Sequence, residues 1–326
     1  MAEITRLATT IDQHIREGRF QRSLSLIAGL SGMLSGLEVV TEHYRGSYSQ
    51  RVMYSPIILS PTLLVAGVWG ALSRKAARTV LPLVSAVTVL DGVVGFVFHV
   101  RGIHRKPGGW RVPIFNLIMG PPVLAPLLFA ISGYLGLIAT FLRREGDPEV
   151  PANTHASDAP RLDSPSAPAH QTGSWWSRLL PSGIAAEGEE LEQHIREGRF
   201  QKHLAAMAAI SAIFSGVEAL YSHYKNNFRY KAQWTPILLT PVLFGAGIGA
   251  IYNRVVARTL LPLVSILAML DGAVGTFYHA RGTLRRPGGL KYPLYNVMYG
   301  PPLFAPLLFA ASGFMGLLAS LLRRAD

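Results

Sequence analysis

The apolar positions of this chain fall in long uncharged runs separated by short polar connectors. Several runs approach the roughly 20 residues that cross a bilayer as a helix. A short amphipathic lead-in segment, 11–22, comes first. Four membrane helices are then predicted at 23–44, 56–73, 79–100 and 113–142. Between the first two lies a polar stretch from Arg45 to Arg51, closed by Pro56, which suits a helix's first turn. Ser73 to Arg78 separates the second and third. Arg105-Lys106-Pro107-Gly108-Gly109-Trp110-Arg111 is a strong turn signal before the fourth. Gly120-Pro121-Pro122 and Pro126 should kink the fourth helix and free backbone carbonyls for a neighbour.

The pattern then returns. Gln13-His14-Ile15-Arg16-Glu17-Gly18-Arg19-Phe20-Gln21 recurs as Gln193-His194-Ile195-Arg196-Glu197-Gly198-Arg199-Phe200-Gln201, and the offset of 180 holds without a gap to Arg323-Arg324. Roughly half of the paired positions are identical, which marks an internal tandem repeat. The second copy predicts helices at 203–224, 236–253, 259–280 and 293–322. The expected architecture is an all-α integral membrane protein, a tandem duplication of a four-helix membrane bundle with eight membrane helices. Residues 1–145 form the first unit and 189–326 the second. Between them, 146–188 is rich in Pro, Ala and Ser and reads as a flexible linker, with Trp175-Trp176 and Leu179-Leu180 as a short amphipathic turn.

Composition agrees with the pattern. Of 326 residues only 15 % are charged, against roughly 25 % in an ordinary soluble chain. The formal charge of +12 comes from cations at the ends of apolar runs, where they meet lipid headgroups. A nucleic-acid partner is not implied. The chain has no cysteine, which excludes disulfides, thiolate-bound zinc, iron–sulfur clusters and covalent haem. Met1 to Arg22 has no apolar core of signal-peptide type, so the first membrane helix is expected to act as an uncleaved insertion signal. Four crossings per unit return the chain to its starting side, so both units share one orientation. Cations divide nearly evenly between the two sides. The polar lead-in segments, with Arg16, Arg19 and Arg22, favour cytoplasmic termini in a cell (inner) membrane.

The chemistry is concentrated in polar residues inside the apolar runs, which are costly there and usually serve function. Glu38 and His43 lie in the first helix, Asp91 and His99 in the third; Glu218, His223, Asp271 and His279 are their counterparts. Asn116 and Asn296 open the fourth helices. The first and third helices run the same way, so His43 and His99 reach about one depth. Glu38 and Asp91 lie about 7 and 12 Å deeper at 1.5 Å rise per residue. Neither helix has the Glu-x-x-His spacing of a di-iron bundle. Gly92, Gly95 and His99 fall within about 60° around one helix, and Gly36 and His43 within about 20° around another. Gly216, Gly272 and Gly275 repeat this in the second unit. Small residues near a histidine leave room for a flat macrocycle, and facing histidines can ligate a haem iron axially. The plainer alternative for the glycines is close helix packing.

The leading expectation is therefore a membrane redox subunit with a His-ligated cofactor in each unit, haem b or another metal, held by His43, His99, His223 and His279. Glu38, Asp91, Asn116, Glu218, Asp271 and Asn296 would handle protons or support the ligands, and a quinone in the bilayer and a partner redox subunit would exchange electrons. A proton- or cation-coupled transporter using the intramembrane carboxylates is a second reading. A membrane scaffold for a partner complex is a third. No Ser–His–Asp nucleophile arrangement supports hydrolytic catalysis.

Overall fold

A computed structural model describes Arg6, Thr10, Gln13, residues 19–142, Arg144 and residues 199–322. The predicted linker, the paired tryptophans within it, and His14 and His194 lie outside the described residues. The described residues are all-helical. Six helices are long and apolar enough to cross a membrane.

In the first half, α1 is Phe20–Arg45, α2 Ser55–Leu72, α3 Arg74–Arg78, α4 Val80–His104, α5 Pro113–Ile118 and α6 Ala125–Phe141. In the second, α7 is Phe200–Lys225, α8 Thr235–Tyr252, α9 Arg254–Arg258, α10 Leu260–Leu284, α11 Pro293–Tyr299 and α12 Ala305–Leu321. Four short 3₁₀ turns, Arg51–Tyr54, Gly109–Arg111, Lys231–Trp234 and Gly289–Lys291, complete the connections. The first two lengthen or close their neighbours: the apolar span that contains α2 runs from Arg51 to Leu72.

Three boundaries differ from the sequence reading. The connector after α2 is itself helical, because Ser73 accepts a hydrogen bond from the Ala76 amide and caps α3. The third helix runs four residues past the predicted end, to His104. The predicted fourth helix is broken, not merely kinked. α5 ends at Ile118 and α6 starts at Ala125, around Gly120-Pro121-Pro122. Two consecutive prolines remove two amide donors and obstruct the preceding turn. The second half breaks at the corresponding place, between Tyr299 and Ala305.

The long helices show an apolar exterior over a small-residue interior. On α4, Leu83, Val87, Leu90, Val94 and Val97 are all exposed and recur at three- and four-residue spacing. On α10 the same stripe is Leu263, Leu267, Leu270, Val274 and Phe277. Inside, Ala28 on α1 and Ala66 on α2 are fully or nearly fully buried, and Gly29 approaches Leu64 so closely that an added Cβ would lie 3.1 Å from its Cα. This is the packing expected where lipid, not water, surrounds the helices and backbones must come close.

The halves meet along α1, α6, α7 and α12. Phe20 and Phe200 face each other edge to face, with ring centroids 5.8 Å apart. A reciprocal bond tightens the joint. Glu38 of α1 accepts from the Phe304 amide at 3.2 Å, just before α12 begins. Glu218 of α7 accepts from the Leu124 amide at 2.8 Å, just before α6 begins. The broken fourth helix of each half therefore has its N-terminus capped by a carboxylate of the other half. The cap satisfies an orphan amide and complements the positive end of the helix dipole.

Candidate functional site

His43 near the end of α1 and His99 on α4 come together, with ring centroids 6.4 Å apart. α7 and α10 bring His223 and His279 to the same 6.4 Å. The rings are edge-on in both pairs, at 65° in the first and 87° in the second.

Main-chain carbonyls orient three of these rings. His43 Nδ1 donates to Met53 O at 2.8 Å. His99 Nδ1 donates to Pro122 O, and His279 Nδ1 to Pro302 O, each at 2.5 Å. Because a carbonyl can only accept, the proton sits on Nδ1 and Nε2 carries the lone pair. Pro122 and Pro302 lie in the helix breaks, where carbonyls have lost their intrahelical donors. Metal-ligating imidazoles commonly have their other ring N–H held in this way by a backbone carbonyl. In the first pair both N–H groups are used on carbonyls, so neither ring can donate to the other. The pair offers two acceptors.

The spacing restricts what the pair can hold. Metal–nitrogen bonds of about 2.0–2.1 Å, with about 1.1 Å more to each ring centre, put trans imidazoles about 6.3 Å apart and bring cis ones closer. Among the described residues no group of three or more His, Asp and Glu side chains could hold a metal ion. An imidazole pair without a third protein donor among the described residues would suit a metal whose remaining ligands come from elsewhere, and does not suit a four-ligand structural zinc site.

An aromatic pair stands beside one histidine of each pair. Tyr48 lies 6.4 Å from His43 and stacks on Tyr54 with centroids 4.8 Å apart. Phe228 lies 6.3 Å from His223 and stacks on Trp234 at 4.0 Å. Sequence reading did not single out Tyr48. The structural signal is backbone strain: Tyr48 has φ 47° and Phe228 φ 45°, left-handed values that bulky side chains rarely adopt. Burial, with Tyr54 alongside, pushes the Tyr48 phenol above its ordinary range, so it stays a donor and binds Val40 O at 3.2 Å.

The other predicted residues go elsewhere. Asp91 takes a hydrogen bond from Ser55 and lies close enough to His43 to interact electrostatically. Asp271 accepts from Thr235. Each aspartate thus ties the middle of one long helix to the first residue of another. Glu38 and Glu218 leave their own histidine pairs and cap the opposite half. Asn116 donates from Nδ2 to Pro107 O at 3.0 Å and Gly109 O at 2.8 Å, pinning the Pro-Gly-Gly turn; Asn296 does the same for Pro287 and Gly289. The glycines are packing positions. Gly36 abuts Ser60, Gly216 abuts Thr240, and Gly92 and Gly272 abut the start of α6 and α12, where Ala130 and Ala310 fill the space. Gly95 and Gly275 face Pro126 and Pro306. Neighbouring helices approach each of these glycines on the side where a Cβ would stand.

No family model, curated protein or solved structure matches the chain.

Proposed function

We propose that this chain is a membrane-embedded electron-transfer subunit in which His43 and His99 ligate one haem b and His223 and His279 a second. One observation carries this reading: in each half, two imidazoles from different helices stand with ring centroids 6.4 Å apart, close enough for both to hold one metal ion. The donor set fits, since haem b would ask no more of the protein than the two imidazoles of each pair. Bound haem would supply one-electron chemistry that the side chains lack. The chain's own residues do the positioning. Met53, Pro122 and Pro302 carbonyls fix the rings and tautomers of His43, His99 and His279, and the stacked pairs Tyr48–Tyr54 and Phe228–Trp234 stand beside His43 and His223.

The same proposal treats residues 1–145 and 189–326 as tandem copies of one four-helix membrane unit. The broken segments α5–α6 and α11–α12 each make a fourth crossing, eight in all. The termini lie on the cytoplasmic side of the cell membrane, and a quinone in the bilayer and a partner redox subunit exchange electrons with the two sites.

Protein purified in mild detergent should show a Soret band, with close to two haems per chain. His99→Ala and His279→Ala together should abolish it. Colourless protein free of iron, prepared with haem supplied during expression, would overturn the reading.

A further inference from the structure

Where the halves join, a line of hydroxyls runs through an otherwise apolar core. Ser31, Ser35 and Glu38 of α1 fall within about 60° around the helix and span about 10 Å along it. Ser211, Ser215 and Glu218 occupy the matching positions on α7. Between α1, α6, α7 and α12 this line opens into a cavity of about 40 Å³, lined by Ser31, Ser35, Ser132, Ser211 and Met315 among apolar neighbours. It is distinct from the histidine pairs.

The hydroxyls of this cavity are not all satisfied by protein. Ser31 donates to Ala28 O, and Ser211 shares a hydrogen bond with Ser312 at 2.7 Å. Ser35 is 3 % exposed, lines the cavity, and its Oγ has no hydrogen-bond partner in the protein. Ser215, the matching residue of α7, is likewise buried without a partner. A buried hydroxyl left unpaired costs roughly 1–3 kcal/mol, and an adjoining polar cavity is where water removes that cost. At about 10–15 Å³ for each water centre, the cavity has room for about three.

We propose that this chamber binds a short chain of ordered waters, anchored on Ser35 and continuing toward Glu38, so that the joint between the halves is hydrated and not dry. A dry apolar void of this size would leave Ser35 unsatisfied. Waters there place mobile donors one helical turn from a carboxylate that holds the two halves together. The inference stands apart from the haem reading, because it concerns a different cavity and its readout involves no haem.

Radiolytic hydroxyl labelling of the full chain in lipid nanodiscs tests it, since ordered internal water generates the radical in place. Met315 is 4 % exposed and lines the chamber. It should be oxidised in the folded protein despite its burial, and severalfold less in Ser35→Ala. Ser211→Leu, which fills the chamber, should suppress the label further. Heat-unfolded protein supplies the full-label reference. Met315 unlabelled in the folded wild type, or labelled equally in the filled variant, would overturn the proposal. If Ser211→Leu fails to fold, the comparison of wild type with Ser35→Ala decides alone.

Discussion

In the first half, Arg45 forks from the end of α1 to Met298 O at 2.8 Å and Gly300 O at 2.6 Å, while also holding Glu42 at 2.6 Å. Lys225 and Ser222 occupy the matching places in the second half, where this fork and its acidic partner cannot form. The stacked pair beside the histidine is Tyr48 with Tyr54 in one half and Phe228 with Trp234 in the other. The residue that holds the aspartate is Ser55 in one and Thr235 in the other. Yet the histidine rings stand 6.4 Å apart in both. The difference teaches which parts set the site. Side chains around it differ between the halves, whereas the acceptors that aim His99 and His279 are the Pro122 and Pro302 carbonyls, which any substitution preserving the helix break retains.

The comparison breaks most visibly in the spectrum. His99→Ala alone should remove about one of two haems and leave the other, halving the Soret absorbance per chain, and His279→Ala should do the converse. Loss of the whole band from either single variant would mean the halves are not independent binding units. Redox titration of wild type should resolve two midpoints, since Tyr48 carries a hydroxyl beside one site where Phe228 has none beside the other.

Next in size are the crossed carboxylates. Replacing a capping side chain by Ala costs about 0.5–2 kcal/mol, so Glu38→Ala and Glu218→Ala should each lower the thermal midpoint in detergent. Glu218→Ala should lower it more, because its bond to Leu124 is 2.8 Å and that of Glu38 to Phe304 is 3.2 Å. Asn116→Leu should cost a similar amount, about 1–3 kcal/mol, by leaving the Pro107 and Gly109 carbonyls without their donor. Limited proteolysis within 105–111 would report the loosened turn.

Smaller effects come from making one half resemble the other. Arg45→Lys gives the first half the second half's cation and removes the planar fork, costing about 1 kcal/mol. Tyr48→Phe removes a single 3.2 Å bond to Val40 O and should shift the thermal midpoint least. If Tyr48→Phe also moves one redox midpoint toward the other, the phenol is what separates them.

Much of the architecture was legible as pattern. Uncharged runs locate the long helices, and rise per residue put His43 and His99 at one depth, where the rings do meet. The prolines announced a disturbed fourth helix and a freed carbonyl, which His99 uses. The destination of Glu38 was not legible. Its depth could be read from its place on α1, but its partner lies 266 residues away in the other half, and nothing in a helical wheel specifies inter-unit packing. Asn116 misled for a different reason. A polar residue at a span's mouth looks like a site group, yet its reach is local, back to the turn that precedes it. What stands against the glycines was not legible either, because spacing around one helix says nothing about what the neighbouring helix brings there.

The crossed caps bear on how such a molecule can be assembled. A helix start that only the sister half can finish makes each half an unfinished object, whatever joins them covalently. Severing the chain between 146 and 188 should then yield two polypeptides that recover a working whole when made in the same cell, and that go to waste when made alone.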